Sequence, residues 1–240
     1  MSVAWREDMR RLAAGMDEET MRYWRCNEPR FAALLDDVGE LMATRPIRRV
    51  LDIGPSFQTR LLAQEWPELA IDTLGFDDRR FTLPPPSRHW VYDLNVCDGP
   101  GRTEPPAEGY DLGLFLEVIE HLPLAPRVVL GELRRWIAPG GTLVVSTPNA
   151  LWLKHRIKLL MGRHPYELIR EDKGNPGHFR EYTAGELGDI ARAAGFLVER
   201  VEARCVYQFS GAKDLFYAWL AMRLGPTFAR DLTLVLRRAD

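Results

Sequence analysis

The sequence predicts an α/β fold with a mostly parallel sheet covered by helices on both faces. Three observations carry this. Segments of strand length alternate with segments of helical period along most of the chain. The strand segments are apolar runs, as expected of strands buried on both faces. The composition, 46% hydrophobic and 28% charged over 240 residues, is that of one ordinary globular unit with a sizeable core, and there are no internal repeats or low-complexity tracts.

Each element can be justified in order. Residues up to about Thr44 read as helical, because Phe31, Leu34, Leu35, Val38, Leu41 and Met42 recur at helical spacing. Pro46 breaks that pattern, and Arg49 to Gly54 follows as a short buried strand. A helix from Phe57 to Trp66 stops near Pro67. A second strand runs from about Ile71 to Phe76 and a third from His89 to Leu94, the latter flanked by Pro84-Pro85-Pro86 and Gly99-Pro100-Gly101. A fourth covers Asp111 to Leu116. The next helix presents Val129, Leu130, Leu133, Trp136 and Ile137 on one face and is ended by Pro139-Gly140-Gly141. Strand five follows as Thr142 to Ser146.

Residues 147–182 show no clear overall periodicity. Thr183-Ala184-Gly185-Glu186 then forms a capping box for a helix whose apolar face is Leu187, Ile190, Ala191 and Ala194, and Gly195 ends it. Phe196 to Val206 is strand six. An apolar helix and a last strand, Asp231 to Leu236, complete the order. Two segments break this economy: residues 1–45, a helical cap, and a lid at about 150–180 inserted in a domain of residues 46–240. Open α/β sheets bind ligands beyond the carboxyl ends of their strands, so both segments are expected to cover the site.

Charge and cysteine content exclude several classes. The net charge of −2 provides no overall basic field to attract nucleic acid or an anionic membrane, and no basic domain is appended. Cys26, Cys97 and Cys205 lack metal spacing and fit reduced thiols in a cytoplasmic protein. The first residues carry Arg6, Glu7, Asp8, Arg10 and Arg11 with no apolar signal region. No segment is long and apolar enough to span a bilayer. The most apolar stretch, Leu215 to Met222, reads as a buried helix or a homodimer face in preference to a membrane contact.

Five segments stand at successive strand ends: Val50-Leu51-Asp52-Ile53-Gly54, Gly75-Phe76-Asp77, Tyr92-Asp93-Leu94, Tyr110-Asp111 through Glu117-Val118-Ile119-Glu120-His121-Leu122, and Pro139-Gly140-Gly141 with Ser146-Thr147-Pro148-Asn149. In this order they resemble the motifs of class I S-adenosylmethionine-dependent methyltransferases over about Ile47 to Val201. The resemblance implies a Rossmann-like seven-stranded sheet with an antiparallel last strand, and S-adenosylmethionine as cofactor. It places Gly54 where a side chain would block the cofactor. It puts Asp52 at the cofactor's amino-acid end, Asp77 on the ribose hydroxyls, Asp93 on the adenine amino group, Leu94 on the ring and Leu116 beside the methionine portion; loop capping is the alternative for Asp52 and Asp77. The chain departs from the family at Pro55-Ser56-Phe57, where further glycines are usual; Ser56 stands in as a small residue. That departure also argues against a dinucleotide, which needs Gly-x-Gly-x-x-Gly.

Glu117-Val118-Ile119-Glu120-His121 is the sharpest local feature. A helical turn after strand four would put Glu117, Glu120 and His121 on one face. His178, in His178-Phe179-Arg180-Glu181-Tyr182-Thr183, is a fourth candidate. The set resembles that of ubiquinone-type and small-RNA 2′-O-methyltransferases. This implies that Glu117, Glu120, His121 and His178 hold Mg or another divalent metal on a vicinal diol, and that Glu120, His121 and His178 are catalytic. His121 as a plain general base without metal is the competing reading. Residues 151–180 carry seven Lys or Arg against three acids, which fits a solvated face or a lid for an anionic acceptor. Tyr23, Trp24 and Phe31, with Arg22, Arg25 and Arg30, suit the opposite wall or the core. The expected activity is methyl transfer to a hydroxyl of a small molecule such as a sugar, glycolipid or anionic diol. The alternatives are transfer to nitrogen or carbon, and a non-catalytic binding subunit.

Overall fold

The computed structural model describes residues 18–100, 102–172, 176–206 and 211–239. Seven strands form one sheet: β1 (Arg49–Ile53), β2 (Ala70–Gly75), β3 (His89–Val91), β4 (Tyr110–Leu116), β5 (Ile137–Pro148), β6 (Phe196–Arg204) and β7 (Asp231–Arg238). Their order across the sheet is β3-β2-β1-β4-β5-β7-β6. The pairings from β3 through to β5 are parallel. β7 lies between β5 and β6 and is antiparallel to both, as the sequence leads one to expect of the last strand.

The helices are α1 (Glu18–Thr44), α2 (Phe57–Glu65), α3 (Pro126–Trp136), α4 (Leu153–Leu160), α5 (Ala184–Ala193) and α6 (Ala212–Leu224). Because side chains alternate across a strand, each strand feeds two cores. Leu51, Ile53 and Phe115 pack with Val129, Leu133 and Trp136 of α3 and Leu187 and Ala191 of α5. Val50, Leu112 and Leu114 pack with Phe31, Leu35 and Val38 of α1 and Leu61 and Leu62 of α2. The sheet is therefore covered on both faces.

Several expected boundaries move. Ile137 leaves the helix and opens β5, opposite Tyr110, so Pro139-Gly140-Gly141 lies within extended backbone and the helix ends at Trp136. β3 stops at Val91, because Asp93 caps a single 3-10 turn, Leu94–Val96. α4 lies in the segment read as aperiodic; its buried residues are Leu153 and His155, too few for a helical stripe. Residues 1–17 of the expected cap, and Lys173, Gly174 and Asn175 of the expected lid, lie outside the described residues.

Candidate functional site

β1 ends in Ile53 and turns at Gly54, whose φ of +76° is strained for any residue with a Cβ. Its amide donates to the Leu74 carbonyl at 2.9 Å. A Cβ there would meet Val118 Cγ2 at 2.8 Å. The turn opens a cavity of about 590 Å³, within the range of small-molecule sites. It lies where strand order reverses, beyond the carboxyl ends of β1, β2 and β4. Ser56, Leu94 and Leu116 line it. Tyr23 and Arg30 of α1 close it from above, and Arg30 Nη2 donates to the Tyr23 hydroxyl at 3.0 Å. Trp24 and Phe31, by contrast, stack on each other in the core.

Three acids singled out in the sequence do not line the cavity. Asp52 is fully buried behind the turn rather than facing the cavity. It accepts from Thr59 Oγ1 at 2.5 Å and from Gln58 Nε2 at 3.4 Å, and so ties β1 to α2. Asp77 points out to Arg79 at 3.3 Å, and the next residue, Asp78, lines the cavity instead. Asp93 Oδ1 is taken by Asn95, through its amide at 2.9 Å and its Nδ2 at 2.8 Å, leaving Leu94 and Asn95 as the lining residues.

Burial pushes the Asp52 carboxyl up to about 7, against the Thr59 and Gln58 hydrogen bonds. With a folded-state pKa above the unfolded one, ionisation opposes folding; the contribution is whole below about pH 4 and is lost as pH rises towards 7. Asp52→Asn is expected to flatten this decline, and to gain roughly 2–4 kcal/mol over wild type between acid and neutral pH. Urea melts at the two pH values check it, and an unchanged pH slope would refute the assignment.

The turn after β4 is not the single helical face expected. Glu117 has a left-handed φ of +56°, and only Ile119–His121 forms a 3-10 turn. A non-glycine residue held there is strained by roughly 1–3 kcal/mol, a cost met mostly at functional sites. Its amide donates to the Ser146 carbonyl at 3.0 Å. Adjacent residues of β5 point to opposite faces, and they separate the two glutamates. Ser146 Oγ donates to Glu117 at 2.8 Å, and Thr147 Oγ1 donates to Glu120 at 2.9 Å. Glu117 therefore faces the cavity, and Glu120 goes to the histidines.

Glu120, His121 and His178 do converge. They form the one group among the described residues whose ligand atoms lie within 4.8 Å of one another. His121 Nε2 stands 3.8 Å from Glu120 Oε1, and the two imidazoles meet edge to face at 4.8 Å. The loop that brings His178 is clasped to the turn: Phe179 N–H donates to the Glu120 carbonyl at 2.7 Å, and His121 Nδ1 meets the Gly177 carbonyl at 2.9 Å. A carbonyl only accepts, so Nδ1 carries the proton and Nε2 of the neutral ring keeps a lone pair aimed at Glu120. Burial holds the His121 pKa below its ordinary value and so favours the neutral ring. Burial, with Glu117 nearby, pushes the Glu120 carboxyl well above its own.

Sequence reasoning missed Glu181 and His155. Glu181 bridges His178 Nδ1, at 3.3 Å, and His155 Nδ1 of α4, at 3.4 Å, and is itself buried. The two histidines lie 23 positions apart, so only tertiary structure joins them to one carboxylate. Asp78 could have been found, since it adjoins the acid chosen. Several lid cations are already engaged: Arg170 with Glu167, Arg180 with Glu186 and Lys154 with Asp214. A second cavity, of about 30 Å³, shares Arg30, Leu116 and Glu117 with the first and reaches Asp231 and Arg204.

Residues 16–201 match the family model described as a methyltransferase domain. A protein of Mycolicibacterium smegmatis, described as a probable S-adenosylmethionine-dependent methyltransferase, is 37% identical over 94 residues. That match spans 39% of this chain and 31% of the relative. Among solved structures, an S-adenosylmethionine-dependent methyltransferase from Archaeoglobus fulgidus superposes with a TM-score of 0.60 at 16% identity, covering 92% of this chain and 100% of the other. One from Mesorhizobium loti gives 0.54 at 17%, covering 83% and 96%. At these identities the structures show a shared fold.

Proposed function

The chain belongs to the methyltransferase domain family, and from that premise we propose that it transfers a methyl group from S-adenosylmethionine to a hydroxyl of a small-molecule acceptor. The observation that carries this is the convergence of Glu120, His121 and His178 beside a cavity that a Cβ at Gly54 would obstruct. When bound, the cofactor supplies a methyl group on a positively charged sulfur. The residues present fit it. Gly54 leaves the turn open, Asp78, paired with Arg80 at 2.6 Å, has lone pairs left for the ribose hydroxyls, Leu94 and Asn95 suit adenine, and Leu116 lies beside the methionine portion. The neutral His121, with Nε2 unprotonated, accepts the proton that the acceptor hydroxyl loses. Tyr23 and Arg30 of α1 line the same cavity.

A second reading is favoured by the ligand distances. Glu120, His121 and His178 offer one carboxylate and two imidazoles, a donor set suited to a divalent metal with open positions for substrate oxygens. Such a metal lowers the pKa of a bound hydroxyl. Glu181 then orients His178 from behind, as carboxylates do behind ligating histidines. The sugar, glycolipid or diol character of the acceptor rests on this reading.

Calorimetric titration of the full chain with S-adenosylhomocysteine is expected to show one saturable site. Absence of binding would favour a scaffold. A parallel Co²⁺ titration, followed by visible absorbance, is expected to saturate at one equivalent under the metal reading. Methyl transfer that survives exhaustive chelation would eliminate the metal and leave His121 as base.

A further inference from the structure

α6 presents its large apolar side chains to water. Leu215, Phe216, Trp219 and Met222 are each more than half exposed, while the protein side is made by Ala218 and Ala221. The four recur at i, i+1, i+4 and i+7, which is one face of a helix. The helix rests on the protein through Ala218 and Ala221 with the partly buried Tyr217 and Leu220, so the large side chains on its other face stay uncovered in the single chain. α4 packs beside it: Trp152 and Leu153 share a small core with Ala221, and Lys154 pairs with Asp214 at 2.8 Å. The end of α4 adds Leu160 and Met161, also exposed. A helix that is apolar all round is normally covered.

Charge decides what covers it. Residues 151–172 and 211–230 carry eight Lys or Arg against four Asp or Glu, in a chain whose net charge is −2. Lys213 and Arg223 stand at the two ends of α6, with Arg223 5.5 Å from the Trp219 ring. Arg163 follows α4 and is exposed. We propose that the α4–α6 ridge docks on an anionic lipid surface. Phe216, Trp219 and Met222 enter the boundary between headgroups and acyl chains, and Lys213, Arg163 and Arg223 meet lipid phosphates. A second copy fits less well, because a two-fold axis on this face would oppose two cationic ridges. No helix among the described residues is long and apolar enough to cross a membrane, so the contact is peripheral.

The test is flotation of the full chain with vesicles of phosphatidylcholine alone and of phosphatidylcholine mixed with phosphatidylserine. The chain is expected to float with the mixed vesicles only and to be released by high salt. Phe216→Ser with Trp219→Ser, and separately Lys213→Glu with Arg223→Glu, are each expected to lower the bound fraction at least about tenfold. These side chains face water, so circular dichroism and S-adenosylhomocysteine binding should match wild type and confirm folding. No flotation with the mixed vesicles, or equal flotation of wild type and Phe216→Ser/Trp219→Ser, would overturn the proposal. A concentration-dependent dimer in sedimentation equilibrium, dissolved by Phe216→Ser/Trp219→Ser, would also overturn it and give the face to a second copy.

Discussion

Glu120→Ala is expected to reduce methyl transfer by about 10²–10⁴-fold while S-adenosylhomocysteine still binds. Under the proposed mechanism Glu120 acts beside His121 and His178, with which it converges, and it lines no part of the cavity of about 590 Å³. Its removal takes the carboxylate from the imidazole pair and leaves the Thr147 hydroxyl without its acceptor. Glu120→Gln separates charge from shape, because the amide oxygen still accepts from Thr147. It is expected to be nearly as inactive as Glu120→Ala, and more stable than wild type at neutral pH. The sign follows from burial: the folded-state pKa of Glu120 lies above the unfolded one, so its stabilising contribution is whole at acid pH and is lost as pH rises. Thermal melts and initial rates across pH 5 to 9 check both parts. Wild-type turnover by Glu120→Gln would remove this carboxylate from the chemistry.

Gly54→Val is expected to weaken S-adenosylhomocysteine binding by roughly 100-fold or more. Two physical effects combine. A side chain at φ +76° costs about 1–2 kcal/mol of backbone strain, and its Cβ collides with Val118 at 2.8 Å on the cavity wall. Gly140→Ala provides the control. Gly140 has a similar φ of +73°, and an added methyl would have nothing within 4 Å of it, so the variant carries the strain without the collision. Calorimetry on the two variants should therefore differ sharply. Equal loss of binding would mean that fold stability, and not the cavity wall, sets the effect.

What was legible in the sequence follows the range of the forces involved. β1 was readable because Val50, Leu51 and Ile53 are buried on both faces and form one apolar run. α3 was readable because Val129, Leu133 and Trp136 repeat at helical spacing, but its end was not. Ile137 is as buried as Trp136, and only the pairing with Tyr110 makes it strand. In the site, Gly54, Leu94 and Leu116 could be placed from strand ends alone. Direction of side chains could not. Asp52 turns inward because Thr59 lies one turn into α2 to receive it, and Asp77 turns outward to Arg79. The split between Glu117 and Glu120 depends on a left-handed backbone and on two neighbouring hydroxyls of β5, 29 and 27 positions away. The Glu120, His121 and His178 group was readable through the resemblance, whereas Glu181 was not, since it meets His155 of α4 only in the tertiary structure.

The place of β7 bears on how the chain is made. β5 ends at Pro148, but the strand that completes its outer edge begins at Asp231 and must enter between β5 and β6. During synthesis, then, β5 and β6 both await the same late partner, and the row of amides and carbonyls along β5 stays open while the lid, α5 and α6 emerge from the ribosome. The nascent chain is therefore most open to mispairing in this interval, with β1 to β4 already made.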